Sequence, residues 1–258
     1  MKLSLFMMMT ASILAEFQFA RKKMVRKTRT GGEAAMAMTN HRILAAVIYQ
    51  GKTICGGALY RDDIVLTTAM HVQRPKSLYK VKTFPTRGKG GKLVEAIFDI
   101  AGIKIHPSMV NDRHAKFNIA IIKLIRPESN PTGLTLDGEG ISFSAETPVL
   151  IGWGVEEDTW GDIDELKAIN LSIFPKEKCS KIHRDSIVSS QEFCAGHPED
   201  NFDAYYLSQG SPLIQMENNT PILLGLFSWA ENYDEEFYPP VFTRTSAFVD
   251  WIRRVVGN

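Results

Sequence analysis

From residue 43 onward the apolar positions come in short bursts broken by turn residues. Ile43 to Gln50 is apolar and strand-like, Gly51-Lys52 turns the chain, and Thr53 to Tyr60 follows. Arg61-Asp62-Asp63 turns it again before the buried-looking run Ile64 to Thr68. Tyr79 to Phe84 alternates and stops at Pro85, and Thr86 to Lys92 reads as a glycine- and lysine-rich turn. Further strands are predicted at Leu93 to Ile105, Asn118 to Ile125, Pro148 to Trp153, Leu166 to Phe174, Pro212 to Met216, Ile222 to Trp229 and Val241 to Thr243. Pro127 to Glu139, rich in proline, glycine and polar residues, is the candidate linker. One helix is predicted, over 246–257, where Phe248, Trp251, Ile252, Val255 and Val256 recur at helical spacing behind a Ser246 or Thr245 cap. Short strands with a single terminal helix predict an all-β fold of two barrels.

The first twenty residues break this pattern. Met1-Lys2 is a short positive start, Leu3 to Ala15 is almost wholly apolar, and small residues follow at Ala15 and Ala20. This reads as a signal peptide over 1–20, too short and wrongly flanked for a membrane anchor. Residues 21–29, Arg21 to Arg29, form a basic arm. The arm reads as a solvated segment, with a processing site or a patch for acidic glycans as the sharper alternative. The expected location is therefore secreted and extracellular, with no membrane span.

Composition adds exclusions. The 258 residues are 44% hydrophobic and 23% charged, with a net charge of +1, so no global bias points toward nucleic acid or membrane. The six histidines are scattered along the chain, none at ligand spacing from another, so no metal site and no cofactor are expected. Three cysteines, Cys55, Cys179 and Cys194, imply one disulfide and one remaining thiol in a secreted chain. Asn170-Leu171-Ser172 and Asn218-Asn219-Thr220 make Asn170 and Asn218 glycosylation candidates, provided they are exposed.

An ordered set of segments resembles the chymotrypsin/trypsin family of serine proteases. Cys55-Gly56-Gly57-Ala58-Leu59 and Val65-Leu66-Thr67-Thr68-Ala69 look like the strand pair leading to the family's catalytic histidine. Asn118-Ile119-Ala120-Ile121-Ile122-Lys123-Leu124 is similar to its D-I-A-L-L-K-L strand. Gly152-Trp153-Gly154, Phe193-Cys194-Ala195-Gly196 and Gly210-Ser211-Pro212-Leu213 match further family motifs, as do Ser228-Trp229 and Pro240-Val241-Phe242-Thr243. The resemblance spans roughly residues 30–258. It implies two six-stranded antiparallel β-barrels, at about 30–127 and 140–245, with a C-terminal helix. It also implies a disulfide between Cys179 and Cys194, worth about 3 kcal/mol by loop closure. Cys55 is left as a buried thiol.

That family cleaves peptide bonds with a serine nucleophile, a histidine base and an orienting aspartate. Carried over position by position, the base falls on Met70, which cannot relay a proton, and the orienter falls on Asn118. The same carboxylate-to-amide change in a working triad costs roughly 10⁴ in turnover. The nucleophile falls on Gln209, which has no hydroxyl. His71 is adjacent to Met70, and strand alternation would point it to the opposite face, as a surface or half-buried histidine. Ser208 and Ser211 flank the nucleophile position as loop hydroxyls. The activation pair is also lost, with Arg29-Thr30-Gly31-Gly32 at the cleavage segment and Ser208 in place of its buried aspartate. Asp203 falls at the base of the specificity pocket, whose remaining remnants are Ser228, Trp229, Ala230 and Pro240; Tyr205 and Tyr233 narrow it.

The expected function is a non-catalytic, monomeric serine protease homolog. It would act by binding an extracellular protein, whether a protease, a protease substrate or an inhibitor, as regulator, cofactor or decoy. Two alternatives stand beside it: an active endopeptidase using a relocated His71/Ser208 pair, and a glycan-binding or adhesion protein using the basic arm. The acidic and aromatic stretch Trp229 to Tyr238 reads as a solvated loop beside the cleft, or as a contact surface.

Overall fold

The computed structural model describes residues 42–87, 93–112, 114–125, 134–138, 147–153, 166–183, 189–196, 208–218, 220–231 and 238–257. The apolar leader, the basic arm, the activation segment, Asp203, Tyr205 and Tyr233 lie outside them.

Six strands build the first barrel: β1 (Leu44–Tyr49), β2 (Lys52–Arg61), β3 (Ile64–Thr67), β4 (Tyr79–Arg87), β5 (Leu93–Ile105) and β6 (Ala120–Leu124). They pair antiparallel in the order β1-β2-β3-β6-β5-β4, and β4 closes on β1. The β1–β2 hairpin turns through Gln50 and Gly51, both at positive φ (50° and 81°), the two-residue turn whose twist suits an antiparallel pair. Val47, Leu59, Val65, Val81, Ile100 and Ile122 fill the interior. Strand β4 does not stop at Pro85. The register shifts between Thr83 and Thr86, so the proline falls in an irregularity where the ladder asks for no N–H donor, and the strand continues to Arg87.

The second barrel contains β7 (Thr135–Leu136), β8 (Val149–Trp153), β9 (Leu166–Asn170), β10 (Ser172–Ile173), β11 (Glu192–Gly196), β12 (Pro212–Glu217), β13 (Thr220–Trp229) and β14 (Val241–Arg244). The pairing order is β10-β11-β14-β13-β12-β8-β9. Only Leu171 separates β9 from β10, so one bent run of chain pairs with β8 at one end and β11 at the other and brings the ring round on itself. Counted that way the ring has six members, with β7 added in parallel beside β13. Leu150, Leu171, Phe193, Leu213, Phe227 and Phe242 pack inside. Strand β11 carries no alternating pattern in the sequence, because its five residues are all buried.

A shared apolar layer joins the barrels. Ile43, Leu66 and Ile121 of the first pack with Ile151, Ile214 and Leu226 of the second, and with Phe248 and Ile252 at the chain's end. Each fully buried Leu or Ile contributes about 1.5–3 kcal/mol, so the barrels are held against each other firmly enough to fix a cleft between them. Among the described residues two α-helices accompany the strands: α1 (Lys176–Ile182) and α2 (Val249–Val256). The terminal segment differs from expectation at its start. Residues Thr245–Phe248 form a 3-10 turn, the α-helix begins at Val249, and no side chain caps it. Thr245 is buried instead, drawn inward by the same layer that takes Phe248.

Candidate functional site

Three segments meet where the barrels face each other. The first is the 3-10 turn Ala69–His71 after β3, the second is Asn118 just before β6, and the third is the turn 208–211 before β12. Backbone contacts set their relative positions. The Gly56 N–H of β2 donates to the Gln209 carbonyl at 2.7 Å, and the Gly210 N–H donates to the Phe227 carbonyl at 2.7 Å. Gly210 has φ +84°, and a Cβ there would lie 2.3 Å from the Gly56 carbonyl oxygen, so only glycine fits.

Asn118 is 1% exposed. Its Oδ1 accepts from the Met70 N–H at 3.0 Å, its Nδ2 donates to Ser228 Oγ at 2.9 Å, and its carbonyl accepts from Thr243 Oγ1 at 3.0 Å. Both ends of the amide are thus engaged, one on each barrel. Met70 enters the site through its backbone; its thioether offers no proton to move.

His71 corrects the strand-based expectation. The chain at residues 69–71 is a 3-10 turn, not a strand, so alternation does not apply and the ring turns into the cleft. Its Nε2–H donates to Gln209 Oε1 at 2.5 Å. Burial pushes the imidazole below its ordinary 6.5, with the Gln209 bond opposing. The result is a neutral ring whose Nε2 is a donor. Ser208 is 7% exposed, and its carbonyl accepts from the Ser211 N–H at 3.1 Å; Ser211 is fully buried against β2.

The residues expected at the specificity pocket are mostly buried. Ser228 and Trp229 are 0% and 3% exposed, Ala230 is half-buried, and Pro240 is buried with its carbonyl accepting from the Ala195 N–H at 3.1 Å. The cysteines divide as the motifs imply. Cys179 and Cys194 are joined, tying α1 to β11, and Cys55 is buried as a thiol pushed up to about 12, by burial outweighing its contact with Thr67. Asn170 and Asn218 are both exposed, the condition their sequons require.

A second polar group was not foreseen. The histidines do not all stand apart: His114 Nε2 donates to Glu231 Oε1 at 3.0 Å, and His183 Nδ1 donates to Glu231 Oε2 at 3.3 Å. His183 Nε2 faces the Pro239 carbonyl at 3.0 Å. Burial would raise the Glu231 carboxyl, but its bonds to the two histidines win and hold it below the ordinary range. Trp229 Nε1 donates to Glu192 Oε1 at 3.2 Å, and the Glu192 Oε2 accepts from the Ser189 N–H and hydroxyl. At its described ends the stretch Trp229 to Tyr238 is therefore packed and not solvated; residues 232–237 lie outside the description. Sequence spacing carries no sign of this cluster, because its members sit more than a hundred positions apart in the chain for one pair and meet only through the fold. His183 is also within 4.8 Å of Cys179 and Cys194, but those sulfurs are bonded to each other and both ring nitrogens are engaged, so the trio offers no free donor set for a metal.

Compared with known proteins, the chain is similar to an ovochymase of Halocynthia roretzi, 24% identical over 209 residues. Those residues cover 77% of this chain and 13% of that protein, so the chain spans a small part of the curated relative's length. The description of the trypsin family matches residues 30–252. With two antiparallel barrels, a site at their junction and a match over most of its length, the chain belongs to the trypsin family.

Proposed function

We propose that this chain is a non-catalytic member of its family, secreted, and acting by binding an extracellular protein as regulator, cofactor or decoy. The observation that carries the reading is the His71–Gln209 bond. A general base must accept a proton from a nucleophile; here the imidazole beside the nucleophile position donates its Nε2–H to a side chain that has no hydroxyl. Asn118 adds to this, since its amide is spent on Met70 and Ser228 and leaves His71 without the orienting carboxylate of a triad. Function resides in sites and not in folds, so a trypsin-like frame with this cleft is suited to recognition. The apolar leader and the disulfide support secretion.

The position of His71 in the cleft favours one competing reading, an endopeptidase built on His71 and Ser208. A serine-reactive phosphonate probe and a peptide-library cleavage assay on the purified protein decide between them. No labelling and no cleavage above a buffer blank are expected from folded protein. Labelling that disappears in Ser208→Ala or His71→Ala would overturn the non-catalytic reading.

A further inference from the structure

The disulfide between α1 and β11 has a third donor packed against it. Cys179 and His183 are one helical turn apart at the end of α1, and the His183 N–H donates to the Cys179 carbonyl at 3.1 Å. Cys194 lies on β11, where its carbonyl accepts from the Phe174 N–H at 2.9 Å, just before the helix. The two sulfurs and a ring nitrogen of His183 lie within 4.8 Å of one another, and all three residues are buried. Phe174, Trp229 and Val241 pack with the cysteines and keep the group dry.

While the bridge is intact the trio is closed to a metal. Reduction leaves two thiols, the donors that soft divalent cations select. Two thiolates on one tetrahedral Zn²⁺ stand about 3.8 Å apart, as bonds of about 2.3 Å require. The Cα atoms are 5.9 Å apart, so rotation of the side chains alone can open the sulfurs to that spacing. His183 is set for the same task. A ligating imidazole is held by a bond from its other nitrogen to a carboxylate or carbonyl. Glu231 Oε2 takes that bond from Nδ1 at 3.3 Å. A neutral ring has a single N–H, so Nε2 then turns a lone pair toward the Pro239 carbonyl oxygen at 3.0 Å. Two lone pairs facing each other in a buried site call for a cation.

We propose that Cys179, Cys194 and His183 form a redox-gated site for a soft divalent cation of the Zn²⁺ class, with Glu231 orienting the imidazole from behind. A dithiol reductant opens the site. The Cys179–Cys194 bond breaks, each sulfur takes up one electron and one proton, and the reductant closes into its own disulfide. The cation then displaces both thiol protons and binds His183 Nε2. So loaded, the site ties α1 to β11 in reducing surroundings, as the bridge does in oxidising ones. The inference depends neither on the cleft being chemically silent nor on secretion.

Cobalt(II), whose spectrum reports thiolate ligation, tests it on the full chain after reduction with dithiothreitol and its removal under argon. The reduced protein is expected to bind one Co²⁺ with an intense thiolate-to-metal charge-transfer band that added Zn²⁺ abolishes. The oxidised protein should show no band. Cys55→Ala should keep the band, because Cys55 lies in the interior of the other barrel. Glu231→Gln should weaken binding about 10–100-fold with the band retained, the effect of losing an orienting partner. His183→Ala should change the d–d spectrum as an imidazole is lost. No band in the reduced wild type, or a band that requires Cys55, would overturn the proposal, and neither result depends on the His183 variant folding. So would a spectrum and affinity unchanged in His183→Ala. If reduction unfolds the chain, recovery of the near-UV circular dichroism on adding Zn²⁺ supports the site, and failure to recover it counts against it. Serine-probe labelling reports on the non-catalytic reading alone and is unaffected by any of these results.

Discussion

Replacing Gln209 by serine supplies the missing hydroxyl, and the geometry says that this alone will not create a protease. Gln209 meets His71 at 2.5 Å with an oxygen two covalent bonds further from Cβ than a serine hydroxyl. Two bonds of about 1.5 Å, taken in zigzag, set the serine oxygen back by about 2.5 Å. The gap from His71 Nε2 becomes about 5 Å, beyond the roughly 2.6–3.2 Å that proton abstraction needs. The base must come from the neighbouring position, whose backbone N–H already rests on Asn118 Oδ1 at 3.0 Å. Met70→His with Gln209→Ser is thus expected to give the first detectable labelling. Adding Asn118→Asp should raise turnover by about 10⁴, because the carboxylate then holds the correct tautomer. Ser228 accommodates that last change by turning its hydroxyl from acceptor to donor on the residue it now bonds at 2.9 Å. The assay is the labelling rate with a serine-reactive phosphonate across the single, double and triple variants, each checked for folding by near-UV circular dichroism. Labelling of Gln209→Ser alone that is lost on adding His71→Ala would refute the distance argument.

Gly210→Ala combines a positive φ, costing about 1–2 kcal/mol, with overpacking of about 1–3 kcal/mol against the Gly56 carbonyl. At about 2–4 °C per kcal/mol for a chain of this size, a loss of about 3 kcal/mol lowers Tm by about 6–12 °C, and a fall under about 2 °C counts against the close approach. Burial depresses the imidazole of His71, and burial with Arg254 depresses that of His106, so the unfolded chain takes up protons first. Stability is fully present above about pH 6.5 and is lost as pH falls through the folded values; the urea midpoint should drop from pH 7.5 to 5, and His71→Gln should lessen that drop. Cys55, pushed up to about 12, should resist iodoacetamide at pH 8 in the native protein and react once the chain is unfolded; fast native labelling would contradict its burial.

Much of the frame was legible along the chain, because strands that line a closed barrel write their burial locally. Leu93 to Ile105 runs as one apolar-patterned strand in the sequence and in the fold, and the β1–β2 turn is announced by Gly51. Motif order named the family, and the cysteine spacing that came with it matches the pair Cys179 and Cys194. Chemical identity at single positions was equally plain: a glutamine has no nucleophile and a methionine no base, whatever surrounds them. Orientation was not legible. Whether His71 faced the cleft depended on a 3-10 turn, whose short period no apolar pattern marks, and the wrong periodicity sent the ring to the wrong side. The proline in β4 looked like an end because its missing donor matters only where the ladder has a partner, and a register shift removes that partner. His114, His183 and Glu231 read as three unrelated polar residues. Only the closing of two barrels over one shared apolar layer brings them onto Trp229, since contacts between distant positions are decided by topology and packing and leave no local period in the chain.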